Sequence, residues 1–140
     1  MAKERKFWDE GVETLPLDKL KKLQLERLQE MATRAYEKTP FYRKKFDEAG
    51  VKPSDITTLE DIRKLPITED ADTRGKPIID RLAVPEEEVK VFSSTTGTTT
   101  GIPEPLAFNK NDIDLFFDGE ARGKWAIGVR PDDVVQIMTR

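Results

Sequence analysis

Residues 91–105 read VFSSTTGTTTGIPEP, and this run constrains the chain more than any other. It holds two Ser, five Thr and two Gly, with apolar Val91 and Phe92 at its entry and Ile102 and Pro103 near its exit. Gly97 and Gly101 let the backbone take positive φ and approach another group closely. The segment 89–92 is a short β run, and 106–108 has the pattern of its hairpin partner beyond the loop. The chain is therefore expected to form strand, loop and strand here.

Around that hairpin the chain divides into three stretches. Residues 3–50 are helical in character: Leu17, Leu20, Leu23, Leu28, Met31 and Ala35 recur near helical spacing among Lys, Glu, Arg and Gln. Leu15-Pro16 limits the start of this helix and Thr39-Pro40 its end. A second helix is expected over 41–49, stopping at Gly50. Residues 51–88 read as a connector of short helices. Ser54 or Asp55 is one cap candidate there, and Thr58 with Asp61 three residues later is another. Residues 89–140 follow the order strand, loop, strand, helix, strand. Asn109 or Asn111 caps a helix over 112–127, whose apolar face is Ile113, Phe116, Phe117, Ala121 and Trp125. Gly128 ends that helix, residues 130–133 turn, and 134–138 read as a buried-type strand. The fold class is α/β. Residues 1–88 form a helical region with its connector and residues 89–140 begin an α/β subdomain, both as parts of one domain.

Composition removes several chemistries. The formal net charge is −3, so no global basic field draws nucleic acid. With neither Cys nor His, the chain offers no disulfide, thiolate nucleophile, histidine-based triad or Cys/His zinc site. No metal ligand set is assigned. The basic start of the chain is followed by no apolar run, and nothing approaches membrane-spanning length, so the expected location is the cytoplasm. Trp8, Trp125, Phe116 and Phe117 read as packing residues, and Asp112, Asp114 and Asp118 as helix-associated charges rather than ligands.

The candidate site is the loop itself: Ser93, Ser94, Thr95, Thr96, Gly97, Thr98, Thr99, Thr100 and Gly101. Its hydroxyls and backbone N–H groups can donate to phosphate oxygens, and a strand leading into such a loop is a common way to cradle a polyphosphate. A polar connecting loop is the plain alternative. A Walker-type loop is excluded, because it needs Lys after the second Gly, where Ile102 stands, and only three residues separate Gly97 from Gly101. The third reading is the S-S-G-T-T-G-x-P loop of adenylate-forming enzymes. Gly97-Thr98-Thr99 and Gly101-Ile102-Pro103 fit that pattern with Thr100 inserted, and Thr95-Thr96 then stand for Ser-Ser. A second register uses Ser93-Ser94 and inserts Thr95 and Thr96; the first needs only one inserted residue.

Further phrases extend the likeness in collinear order. Residues 8–16 match W-x-x-x-x-E-x-L/M-P, and 23–28 read LQLERL. Residues 35–51 carry AYEKTPFYRKKFDEAGV, 58–68 TLEDIRKLPIT, and 128–136 GVRPDDVVQ. Over nearly its whole length the chain resembles the N-terminal third of the phenylacetate–coenzyme A ligase family within the adenylate-forming superfamily. Thr100 is an extra residue against that pattern, and Ile102 stands where many relatives have Lys or Arg.

The resemblance implies an acid–thiol ligase that uses ATP, Mg2+ and coenzyme A to activate a small aryl-acetate-type carboxylate, with the loop on the β- and γ-phosphates. It also implies a homo-oligomer without nucleic acid or membrane partners. The family's remaining catalytic elements have no counterpart among these residues, so no catalytic residue is assigned and the 140-residue chain by itself is expected to be inactive. The rival readings are a non-enzymatic helical interaction or dimerisation module and a subunit of a split adenylate-forming enzyme.

Overall fold

The computed structural model describes residues 5–97, 101–136 and 138. Helix α1, Glu10–Glu13, is a single turn capped by the Asp9 carboxylate on the Val12 N–H at 3.2 Å. Helix α2, Leu17–Lys38, starts directly after Pro16, which cannot donate into a preceding turn. It stops at Thr39, which the following proline pushes to extended backbone at φ −118° and ψ 115°. Thr39 is nearly fully buried and returns both its N–H and its hydroxyl to the Ala35 carbonyl.

Helix α3, Pro40–Ala49, uses the same proline as its first residue, where the missing N–H costs nothing. Gly50, at φ 66°, closes it: its N–H reaches the Asp47 carbonyl at 3.1 Å and the Val51 N–H reaches Phe46 at 3.0 Å. These two bonds are the pair a glycine-terminated helix needs to satisfy its last carbonyls. The α2–α3 angle buries Ala32 and Phe46, and Ile56 of the connector completes the cluster, with Leu28, Tyr36 and Leu65 packed around it. The buried stripe of α2 thus runs through Leu28, Ala32 and Tyr36, four residues apart. Leu17 and Met31, read above as part of that stripe, are 65% and 71% exposed.

The connector is held by caps and ion pairs more than by apolar area. Gln29 donates to the Ile56 carbonyl at 2.8 Å, tying it to α2. Of the two cap candidates, Asp61 takes the N–H groups of Thr57 and Thr58 at the turn Leu59–Lys64, while Asp55 takes the Lys52 N–H at the turn Pro53–Asp55. Helix α4, Asp70–Thr73, is anchored by a contact from Lys45 of α3 to Asp72. The turn Ile78–Arg81 then rests against α3 and the hairpin.

Strands β1, Val89–Ser94, and β2, Pro105–Asn109, pair antiparallel with Phe92 opposite Ala107 and Ser93 opposite Leu106. Lys90 is the extra residue where the register shifts between Val89 and Val91. Asn109 ends β2 and caps helix α5, Lys110–Ala126, in a reciprocal box: its side chain accepts the Asp112 N–H and its own N–H reaches the Asp112 carboxylate, both at 2.9 Å. Gly128, at φ 96°, closes α5 through Gly128 to Trp125 and Val129 to Lys124 bonds. Residues 5–14 lie along α5. Trp8 donates to Asp118 at 2.6 Å and packs 5.9 Å from Trp125, whose ring also meets the Arg130 guanidinium 4.2 Å from its centroid and whose indole N–H points to the Arg5 carbonyl at 3.2 Å. Both tryptophans are packing residues, as the sequence implied.

Two expectations for this half change. Phe116 and Phe117 are 61% and 64% exposed, and the inward face of α5 runs through Ile113, Asp118, Ala121, Arg122 and Trp125 instead. The strand expected over 134–138 is not formed at the described positions 134–136 and 138; Ile137 lies outside the described residues. A strand is stabilised by a ladder partner, and the described sheet has only β1 and β2. Val134 is fully exposed.

Candidate functional site

The loop is the closed end of the β1–β2 hairpin. Strand β1 runs two residues further than the apolar run suggested, so Ser93 and Ser94 lie in the ladder opposite Leu106 and Pro105. The loop proper starts at Thr95. Its backbone N–H donates to the Glu104 carbonyl at 3.0 Å, and its hydroxyl oxygen accepts the Glu104 N–H at 2.9 Å. The Thr95 hydroxyl proton stays available, since the oxygen serves here as acceptor.

Gly97 sits at φ 64° and Gly101 at φ 73°, both in the left-handed region. Their surroundings differ. A Cβ on Gly97 would stand 2.7 Å from the Pro103 nitrogen and 2.9 Å from the Ile102 carbonyl carbon, whereas one on Gly101 would meet nothing within 4 Å. Gly97 is therefore required both by its dihedral and by the Ile102–Pro103 backbone that folds back over it. The Gly101 N–H is spent on the Gly97 carbonyl at 2.7 Å, so it closes the loop rather than facing outward as a free donor.

Ser93, Ser94, Thr95 and Thr96 are exposed, Gly97 is half-buried and Gly101 is exposed. These six share one hairpin end; Thr98, Thr99 and Thr100 lie outside the described residues. The base of the loop carries one acidic group, Glu104, and Arg81 of the connector meets it: Nη2 lies 2.7 Å from Oε1 with both side chains largely covered. The approach is off the hydrogen-bond direction, so the contact is chiefly Coulombic. The pairing of a connector residue with the loop base was not legible beforehand, because the 22 intervening positions carry no periodic signal linking them.

Among the described residues, no group of three or more Asp, Glu, His or Cys side chains is arranged to hold a metal ion, and no helix is long and apolar enough to cross a membrane. A concavity of about 640 Å³ lies on the α2–α3 end among Glu37, Lys38, Pro40, Arg43 and Asp47; the hairpin takes no part in lining it.

No family model matches the chain. It is 42% identical over 120 residues to a phenylacetate-coenzyme A ligase of Thermus thermophilus, covering 86% of this chain and 27% of the relative. It is 40% identical over 126 residues to the phenylacetate-coenzyme A ligase of Escherichia coli, covering 90% and 29%. Among solved structures it superposes with TM-score 0.83 and 34% identity on a 2-hydroxyisobutyryl-CoA ligase in complex with 2-HIB-AMP and CoA, over 93% of this chain and 28% of the other. The chain thus has the fold of part of an adenylate-forming CoA ligase and is similar in sequence to phenylacetate-coenzyme A ligases. It spans less than a third of the length of the relatives it matches.

Proposed function

We propose that this chain supplies the ATP-phosphate-binding hairpin of a ligase that converts an aryl-acetate-type carboxylate to its coenzyme A thioester through an acyl-adenylate. The observation that carries the reading is Gly97: a left-handed glycine overlaid by the Pro103 backbone, in a hydroxyl-rich hairpin end of a chain similar throughout to such ligases. In that reaction a carboxylate oxygen attacks the α-phosphorus of ATP and pyrophosphate leaves with the bonding electron pair; the coenzyme A sulfur then attacks the acyl carbon and AMP leaves. The chain's own part is to hold the departing phosphates. Charge building on their oxygens is met by preset donors, the effect that dominates phosphoryl chemistry.

Thr95, Thr96 and Gly97 are the described residues of that cradle, with Thr98 and Thr99 completing the motif in sequence. The ladder position of Ser93 and Ser94 supports the register in which Thr95-Thr96 begin the motif and Thr100 is the inserted residue. Magnesium and coenzyme A belong to the proposal as reaction partners, with no residue of this chain assigned to either. A homo-oligomer, a cytoplasmic setting and the division at residue 88 belong to the same reading.

Titrating the 140-residue chain with pyrophosphate, followed by amide NMR, tests it. Shifts confined to residues 93–104 are expected at millimolar pyrophosphate. Uniform or absent shifts would overturn the assignment. Incubated with ATP, magnesium, phenylacetate and coenzyme A, this chain alone is expected to yield no thioester; sustained turnover by the purified chain would show that the catalytic machinery had been wrongly sought elsewhere.

A further inference from the structure

From the geometry at the loop base we infer that Arg81 is a positioning residue for phosphate binding, because it both neutralises Glu104 and fastens the hairpin end to the connector. The inference rests on the phosphate-loop reading above. A carboxylate beside a polyphosphate cradle is a liability, since like charges in a partly covered site repel strongly. Glu104 occupies that place, one residue from the Pro103 backbone that overlies Gly97. Its backbone also holds Thr95, accepting the Thr95 N–H and donating to the Thr95 hydroxyl oxygen, so its position sets where the loop starts.

Arg81 is the counter-charge. Its guanidinium nitrogen lies 2.7 Å from the Glu104 carboxylate, and the two side chains are only 16% and 25% exposed. Solvent screens such a pair less than a surface pair. The arginine comes from the turn Ile78–Arg81, which packs on both α3 and β2, so the tie reaches from the helical region to the loop. No other acidic or basic residue lies between Lys90 and Lys110 in the sequence, so Glu104 is the hairpin's own charge after the start of β1. Removing Arg81 would leave that partly covered charge at the loop base without the counter-ion it faces.

The test uses the 140-residue chain, pyrophosphate as probe, and three variants. Arg81→Gln is expected to weaken pyrophosphate binding about tenfold, or ~1.4 kcal/mol. Glu104→Gln alone should bind as well as the parent or better. The double variant Arg81→Gln/Glu104→Gln should recover most of the loss, which a purely structural arginine would not allow. Thermal melting of each variant separates folding from binding. If the double variant stays as weak as Arg81→Gln, or if Arg81→Gln binds normally, the inference is wrong. If the parent chain shows no pyrophosphate response, the phosphate reading fails by itself. The tie is then judged by hydrogen exchange at the Thr95 and Glu104 amides, where Arg81→Gln should speed exchange and unchanged rates would refute it.

Discussion

Two glycines of one loop look alike in sequence and differ in what they tolerate. Both have positive φ, and for a residue with a Cβ that conformation costs about 1–2 kcal/mol. At Gly101 this is the whole cost, since its Cβ position is open. At Gly97 a methyl group would also enter the Pro103 backbone, which cannot swing aside as a side chain could. Gly97→Ala is therefore expected to open the hairpin end, with loss of the Gly101 to Gly97 bond and of pyrophosphate binding. Gly101→Ala should keep binding within about tenfold, the equivalent of the φ penalty. The check is calorimetric titration with pyrophosphate alongside amide shifts of residues 93–104. Equal damage from the two substitutions would show that the Pro103 overlap does not govern the loop. The motif in the sequence marked both glycines as permissive, but the approach of Pro103 is a three-dimensional fact with no local signal.

At the scale of elements, charge holds the connector. Lys64 beside Asp61, and the N–H groups of Thr57 and Thr58 on its oxygens, lower the Asp61 carboxyl well below the ordinary range. A carboxyl with a depressed folded pKa stabilises while it is ionised, and that share is fully present above the unfolded value of about 4. It is lost as pH falls below that value and through the lower folded one. Asp61→Asn should thus destabilise the turn Leu59–Lys64 at neutral pH and flatten the acid-side melting profile below about pH 4. Parallel melting curves for parent and variant over that interval would contradict the assignment. This cap was legible because Thr58 and Asp61 are three residues apart and their pairing is local. The bounds of α2 and α3 were legible for the same reason, through Thr39-Pro40 and Gly50. The inward faces were less so. Helical spacing cannot say which of Ala32 and Met31 meets Phe46, nor that Trp8 from the far end of the chain would choose the Asp118 face of α5 over Phe116 and Phe117. The strand read over 134–138 depended on a ladder partner, and no local pattern states whether one is at hand.

The molecule as a whole exposes far more surface than a closed fold. Its 11,112 Å² compares with about 7,400 Å² for a compact protein of the same mass. Among the described residues only Ala32, Phe46 and Ile56 form the buried apolar core, while Phe92, Leu115, Phe116, Phe117, Ile127, Val135 and Met138 are each more than half exposed. With Ile102 and Val134 they outnumber the exposed Leu17, Met31, Ile62 and Ile67 of the helical half, so most of the open apolar surface among the described residues gathers on the half that carries the hydroxyl-rich loop. The edges of a two-stranded sheet add unpaired N–H and C=O groups. Burying apolar area contributes roughly 25 cal/mol per Å², so covering even 400 Å² is worth about 10 kcal/mol before ordering costs. The core by itself is small against the conformational entropy of the chain. The 140-residue chain is therefore expected to associate with itself in a concentration-dependent way, through α5 and the free edge of the hairpin. Light scattering from micromolar to hundreds of micromolar should show the mean mass rising. Phe116→Glu with Phe117→Glu should hold it near the monomer, because two charges on an exposed apolar face remove the drive without touching Ala32, Phe46 or Ile56. A monodisperse monomer at every concentration, with the Val135 amide protected from hydrogen exchange, would mean that the chain covers this face by itself.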